Sequence, residues 1–202
     1  WTGTQYMHGA LLICDEAIVE NNSIEIRTPK IYNSNDISGI DGICLHQFYR
    51  AAGKSTIRAN RVSVLNSDGI KCNYAENVEI DHNEVVREYE GGDVYPFEEG
   101  ILVRGSRCSV HDNSILALYN RQPARTGIGA LVAGNGQDNE FMDNYVWGNW
   151  TQVLYLEDAH GCSYIGNVLA GQAEYGAYLK NYSHGNILSG NNMDGLSCRA
   201  YD

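Results

Sequence analysis

Apolar residues fall along this chain singly or in short runs of at most five, never in long ones. A frame of apolar, any, apolar, several polar, apolar, any, any, Asn, any, apolar recurs through most of its length. The asparagines at its heart are Asn22, Asn60, Asn83, Asn113, Asn144, Asn167 and Asn191. Their spacings are 38, 23, 30, 31, 23 and 24 residues. The short spacings define a period of about 23 or 24, and the longer ones are that period plus loops. Each asparagine follows a strand-like stretch such as Val78-Ile80-His82 or Ser163-Tyr164-Ile165. Upstream lies a second apolar segment: Ile43–Leu45, Ile70–Cys72, Ile101–Val103, Ala130–Val132, Val153–Tyr155 and Ala177–Leu179. Glycines at 42, 69, 100, 129 and 176 precede most of them, which suits a tight bend.

Short strands at this period cannot bury their apolar side chains alone. Stacking coils about 4.8 Å apart buries them in one column. The expected fold is therefore all-β: a single-stranded right-handed parallel β-helix of about seven coils. Its asparagines are expected to stack in a ladder, each at a sharp turn where Asn tolerates left-handed backbone. Helical repeats need apolar residues at three and four spacing, and leucine-rich repeats need a Leu-x-x-Leu-x-Leu frame; neither occurs. Propeller blades of 40 to 45 residues are too long for the period. One domain over residues 1–202 is expected, as a mature product or as part of a longer chain.

The phrase Glu76-Asn77-Val78-Glu79-Ile80-Asp81-His82-Asn83-Glu84-Val85, with Asp68-Gly69-Ile70 before it, resembles the repeat of the pectate-lyase-like superfamily. Similar repeats run from about residue 41 to 192. That superfamily includes polysaccharide lyases, glycoside hydrolases, uronate epimerases, phage tailspikes and periplasmic proteins of unclear role. The resemblance identifies a fold better than a function. Asn66-Ser67-Asp68-Gly69 is similar to the first motif of polygalacturonases, but their later motifs are absent, as is the Asp-Pro-His-Glu motif of alginate epimerases.

Alternation in the glycine-led strands places Cys44 and His46, Lys71 and Asn73, and Leu102 and Arg104 outward. By the same alignment Leu131 and Ala133, Leu154 and Leu156, and Tyr178 and Lys180 face outward in later coils. Asp41, Asp68 and Glu99 stand just before the glycines. Outward charge thus gathers on the first half of the rod. The long insertions lie there too, carrying Tyr32, Phe48, Tyr49, Arg50, Tyr89, Tyr95, Phe97, Tyr119, Arg121 and Arg125. A flat face rimmed by aromatic loops suits a sugar, and Arg or Lys can grip its carboxylate.

Two chemistries fit. In the first, Arg104 or Lys71 neutralises a uronate carboxylate, Lys71 or His46 takes the adjacent proton, and Tyr95 acts as acid, giving lyase or C5-epimerase activity. In the second, Asp68 and Glu99 form a hydrolytic pair about 5 Å apart. Asp41, Asn73, Tyr49, Arg50, Tyr119, Arg121 and Arg125 are the expected substrate contacts. A β-helical fibre, tailspike or glycan-binding module is the non-catalytic alternative, since opposed charges on neighbouring coils also form plain surface ladders.

The net charge of −11 argues against nucleic acid as a partner. It also disfavours an acidic sugar unless a local basic patch or a bound cation intervenes. No run of about 18 apolar residues exists to enter a membrane. No protein metal site is expected, although the loop acids Glu88, Glu90, Asp93, Glu98 and Glu99 offer oxygens of the kind calcium takes, without EF-hand spacing. The six cysteines form no CxxC pair, and most are expected to be free. His82 and His111 read as stacked structural residues, and His160 and His184 as turn residues with no evident partner. An extracellular or cell-envelope location and end-to-end self-association complete the expectations, since solenoid ends are open sheet edges.

Overall fold

The computed structural model describes residues 7–27, 40–47, 53–65, 68–89, 99–119 and 129–198. All the strands among them pair in parallel, and no helix occurs among the described residues. The first coil is β1 (Met7–Ile13), β2 (Ile18–Glu20) and β3 (Ser23–Arg27). The second is β4 (Ile40–His46), β5 (Ser55–Arg58) and β6 (Arg61–Leu65); the third is β7 (Asp68–Glu76), β8 (Val78–Asp81) and β9 (Glu84–Tyr89). The fourth is β10 (Ile101–Ser106), β11 (Ser109–His111) and β12 (Ser114–Tyr119), and β13 (Gly129–Gln137) and β14 (Glu140–Met142) begin the next. After these, β15 (Tyr145–His160) ends one coil and starts another without a break. It is followed by β16 (Ser163–Ile165), β17 (Val168–Lys180), β18 (Ile187–Ser189) and β19 (Leu196–Cys198).

Three walls result. The first holds β1, β4, β7, β10 and β13, then the later halves of β15 and β17. The second is the seven-stranded sheet β2-β5-β8-β11-β14-β16-β18. The third runs from β3 through β6, β9 and β12 to the earlier halves of β15 and β17, and then β19. The coils stack as a right-handed parallel β-helix.

The inward columns explain why these short runs form strands. Ile57, Ile80, Val110, Phe141 and Tyr164 stack in the second wall and are fully buried. The Phe141 and Tyr164 rings lie parallel with centroids 4.4 Å apart. Val62, Val85, Ile115 and Val146 face them from the third wall. Each apolar side chain covers the one below, so no coil is stable without its neighbours.

The asparagine ladder is present at all seven expected positions. At each step the earlier asparagine donates its backbone N–H to the next Oδ1, at 2.9 to 3.1 Å. The side-chain Nδ2 donates to the same oxygen. Asn60, Asn83, Asn113, Asn144 and Asn167 are buried, so these bonds satisfy groups that water cannot reach. The turn differs from expectation in one respect. The left-handed residue is the one before the ladder asparagine: Asn21, Ala59, His82, Asp112 and Asp143, then Gly166 and Gly190. The asparagine itself is used for its amide, and its neighbour carries the conformational cost.

Candidate functional site

The site begins with the glycines. Gly42, Gly69 and Gly100 do not adopt positive φ. They are required because a Cβ would point into the core. At Gly42 it would lie 2.2 Å from Val62 Cγ1 and 2.5 Å from the Gly69 carbonyl oxygen; at Gly69, 2.3 Å from Val85 Cγ1. The glycine and the residue after it thus both face inward. The residue before it, Asp41, Asp68 or Glu99, is left on the outer side beside Cys44 and Lys71.

Ala130 takes the glycine position in the next coil, since Ile101 pairs with Leu131. The expected alignment of later coils on Gly129 was therefore one residue out. Leu131, Ala133, Leu154 and Leu156 face the core, and the outward column is Leu102, Val132, Tyr155 and Tyr178.

Asp41, Asp68 and Glu99 stack on three successive coils with 2 %, 5 % and 5 % of their surface exposed. Lys71 Nζ lies 3.0 Å from Asp68 Oδ2 and 3.5 Å from Asp41 Oδ1. The Glu99 backbone N–H donates to Asp68 Oδ1 at 2.8 Å. Burial, together with the negative charge of Asp68, raises the Asp41 carboxyl to about 7. The same two causes push Glu99 well above the ordinary carboxylate range. Burial also acts on Asp68, but the Glu99 side chain and backbone and the Lys71 ammonium outweigh it and hold Asp68 below its usual range. Burial works against the Lys71 ammonium, yet Asp68 and Asp41 more than compensate and raise its pKa. One carboxylate and one ammonium thus share the cluster with two carboxyls that hold their protons to higher pH than free carboxyls do. Burial and the neighbouring Asp41 raise the Cys44 thiol to about 12, which makes it a poor nucleophile.

His46, Asn73 and Arg104 form the next outward column. Here the fourth coil turns the corner with one residue fewer than the third. Arg104 pairs with Asn73 and Gly105 with Ala75, so Tyr74 has no counterpart. Tyr74 adopts φ of 54° and swings outward, with its ring 5.2 Å from that of His46. The mismatch opens a groove of about 970 Å³ lined by His46, Gln47, Asn73, Tyr74, Glu76, Arg104, Arg107 and Gln137, among others. Glycine forms part of its floor because carbonyls point there: a Cβ on Gly105 would meet Ala75 O at 1.9 Å. Gln47 braces one wall, accepting from the Glu76 N–H at 2.7 Å and donating to the Asp15 carbonyl. Arg107 pairs with Glu76, while Arg104 is exposed and forms no ion pair among the described residues.

Of the expected site residues, Asp41, Asp68, Lys71 and Glu99 meet in one cluster, and His46, Asn73 and Arg104 meet at the groove. Tyr49, Arg50, Tyr95, Arg121 and Arg125 lie outside the described residues, as do Tyr32, Phe48 and Phe97. Tyr89 and Tyr119 end β9 and β12, paired with each other in backbone register. Tyr74, Gln47, Glu76 and Arg107 were not anticipated. Only a coil-by-coil residue count at the corner would have exposed Tyr74. His160 and His184, expected to lack partners, stack with ring centroids 4.3 Å apart. His82 and His111 meet edge to face, at 6.3 Å. Cys14, Cys44, Cys72, Cys108 and Cys162 are free.

No three His, Cys, Asp or Glu side chains converge in a metal-ligating arrangement among the described residues. No helix of the described residues is long and apolar enough to cross a membrane.

These features define a right-handed parallel β-helix protein with an asparagine ladder and a polar groove at one corner. The family model for the periplasmic copper-binding protein (NosD) matches residues 14–199, and the chain belongs to that family. No curated protein and no solved structure gives a match.

Proposed function

We propose that the chain is a periplasmic β-helical protein that binds an acidic polysaccharide along the first wall and in the groove at its corner. The observation that carries this reading is the exposed Arg104 guanidinium at the groove, near acids that are paired with a cation or have raised pKa values. A net charge of −11 should repel a polyanion. Locally that repulsion is weakened: Glu99 favours its neutral form, Asp41 is only partly ionised near neutral pH, and Lys71 offsets Asp68. Arg104 can then take a sugar carboxylate, with Tyr74 and His46 offering ring faces to sugar C–H groups. Titration calorimetry with oligouronates, against a neutral glucan, tests the reading. Binding that falls at least tenfold in Arg104→Ala supports it. Equal binding of both sugars, or no effect of Arg104→Ala, overturns it.

A catalytic reading, lyase or C5-epimerase chemistry, is favoured by one observation: the Asp41 carboxyl titrates near neutrality, as a general base should. In it Asp41 takes the proton, and Lys71, held by two carboxyls, supplies charge alone. The burial of Asp41 and Glu99 weighs towards binding without turnover. Hydrolysis by Asp68 and Glu99 is less well supported, because their carboxyls hydrogen-bond to each other. A hydrolytic pair needs roughly 5 to 9.5 Å between its carboxyls. Absorbance of unsaturated ends and proton exchange at C5 distinguish turnover from binding.

Copper, named in the family description, does not fit the described residues. Cys44, Asp41 and Asp68 are neighbours on the first wall but do not converge on one point, the Lys71 ammonium pairs with both carboxyls, and the thiol is held protonated. The His160 and His184 rings stack over each other and supply at most two donors. Copper enters no step of either reading.

A further inference from the structure

Two rows of left-handed residues line the corner between the first and second walls. One is Tyr74, Asn135, Asp158 and Asn181, and the other is Asn77, Arg107, Asp138, Gly161 and Gly185. Asn, Asp and Gly hold such backbone at little cost, whereas a bulky side chain strains it. Tyr74 and Arg107 are the exceptions in these two rows, and both line the groove. Strain of this kind persists only where the surrounding structure enforces it, and it gathers at ligand sites.

The fourth coil has no member of the first row, so the groove fills the gap between Tyr74 and Asn135. These lie two coils apart, about 10 Å. The gap runs round the rod along the fourth coil, from Arg104 on the first wall to Arg107 at the start of the second. Tyr74 flanks it, 73 % exposed. Beyond Arg107, which lines both, a second hollow of about 410 Å³ continues onto the second wall between Lys54, Glu79 and Ser109. Arg107 pairs with Glu76 and stays half exposed, and Lys54 pairs with Glu79. Among the described residues of the two hollows, three cations thus meet two carboxylates, and the path is net positive on an acidic chain. Along the rod axis, by contrast, the column from Arg104 passes Gly134 to Glu157 and Lys180, which pair at 3.0 Å.

We propose that an acidic glycan crosses the rod at this corner, with Tyr74 backing one ring, Arg104 holding an acid group before the turn and Arg107 a second one beyond it. Stacking on the ring and a guanidinium fork at each side are the contacts such a chain requires. The site therefore selects a run of at least two acidic sugars and not a single one. This rests on the acidic-glycan reading above, to which it adds the path and the shortest ligand.

The test is titration calorimetry of the whole chain with galacturonate and mannuronate series of one to four sugars. Tyr74→Asn and Arg107→Asn install the residue type that neighbouring coils hold, so neither should lower the melting midpoint. In the wild type, affinity should step up about tenfold or more once the chain reaches from Arg104 to Arg107. Arg107→Asn should erase that step and leave the single sugar unaffected. A general change of local charge would act on both. Tyr74→Asn should weaken the longer chains about fivefold or more. Lys180→Ala, on the axial route, should bind like the wild type. If no oligouronate binds the wild type, the acidic-glycan reading fails and this inference with it. If binding depends on Arg104 but not on Tyr74 or Arg107, or falls in Lys180→Ala instead, the crossing alone is overturned. Weaker binding with a lower melting midpoint in both Asn variants would make the two residues structural, and would overturn it too.

Discussion

Lys71 sits with its ammonium 3.0 Å from Asp68 Oδ2, inside a column of buried acids on the outer side of the first wall. It also reaches Asp41 on the coil before, at 3.5 Å. The lysine is thus the cation that makes the stack of Asp41, Asp68 and Glu99 tolerable. Removing one partner of a buried ion pair leaves the other uncompensated. Lys71→Met is expected to cost about 3 kcal/mol of stability. Adding Asp68→Asn should recover part of that loss, because the orphaned carboxylate goes with it. Urea unfolding of the two variants checks both. A loss below about 1 kcal/mol would mean that the pair behaves like an exposed one.

The same cluster makes stability fall as pH rises. Asp41 titrates near 7 in the folded chain, against about 3.9 for an unperturbed Asp. Between those values the folded state holds a proton that the unfolded state has released. Its stabilisation is full below about pH 4 and lost by about pH 7, at up to roughly 1.4 kcal/mol per pH unit. Glu99 acts with the same sign, and so does His111, whose pKa is raised by Asp112 and Glu79 against the effect of its burial. Asp68, held low, works oppositely and withdraws stability only in more acidic solution. The chain should therefore be more stable at pH 5 than at pH 8. Asp41→Asn should flatten the slope, leaving the shares of Glu99 and His111. Unfolding midpoints at pH 5, 6, 7 and 8 decide it, and a rise in stability across that range would contradict the assignment.

The ladder predicts an asymmetry between its ends and its middle. Asn113 accepts from Asn83 N and Nδ2 and donates to Asn144 Oδ1 and the Ile80 carbonyl. Asn113→Ala orphans buried donors on Asn83 and a buried carbonyl at Ile80. At about 1 to 3 kcal/mol for each unsatisfied group, a loss of about 3 kcal/mol is expected. Among the described residues Asn22 accepts nothing from an earlier coil, so Asn22→Ala removes bonds without orphaning a described donor on another coil. Its cost should stay under about 1 kcal/mol. Asn191→Ala falls between, since it removes the Oδ1 to which Asn167 donates but takes no acceptor or donor from a later described coil. Thermal melts of the three variants rank them directly.

The repeat carried most of the fold into view. The seven asparagines and their apolar neighbours specify coil, core and register because every coil repeats one local problem. The candidate cluster was legible for the same reason: Asp41, Asp68 and Glu99 each precede a glycine of one column. Irregularities were not. The shift from Gly129 to Ala130 broke an alignment that rested on glycine as a marker, because that position demands a side chain small enough for its space and not a glycine backbone. The groove arises from one missing residue at the corner of the fourth coil, which only the pairing of Arg104 with Asn73 and Gly105 with Ala75 reveals. The match between His160 and His184 likewise depends on corner lengths that the period averages away.

Space, more than backbone freedom, therefore governs the first-wall glycines, and this gives a sharp comparison between two substitutions. A Cβ on Gly42 would sit 2.2 Å from Val62 Cγ1 and 2.5 Å from the Gly69 carbonyl oxygen, while one on Gly134 meets nothing closer than Arg104 Cγ at 3.5 Å. Val62 is fully buried in the core and the Gly69 carbonyl belongs to the next coil, so neither can yield without moving the stack. Gly42→Ala is expected to cost about 1 to 3 kcal/mol as overpacking. It should also displace Asp41, which the bend at Gly42 sets outward, and so weaken the pH dependence along with the fold. Gly134→Ala should be neutral or slightly stabilising, through lower entropy of the unfolded chain. Unfolding of both variants at pH 5 and pH 8 reads the two effects together. If Gly42→Ala matches the wild type at both pH values, the glycine column is not what holds the acids in place.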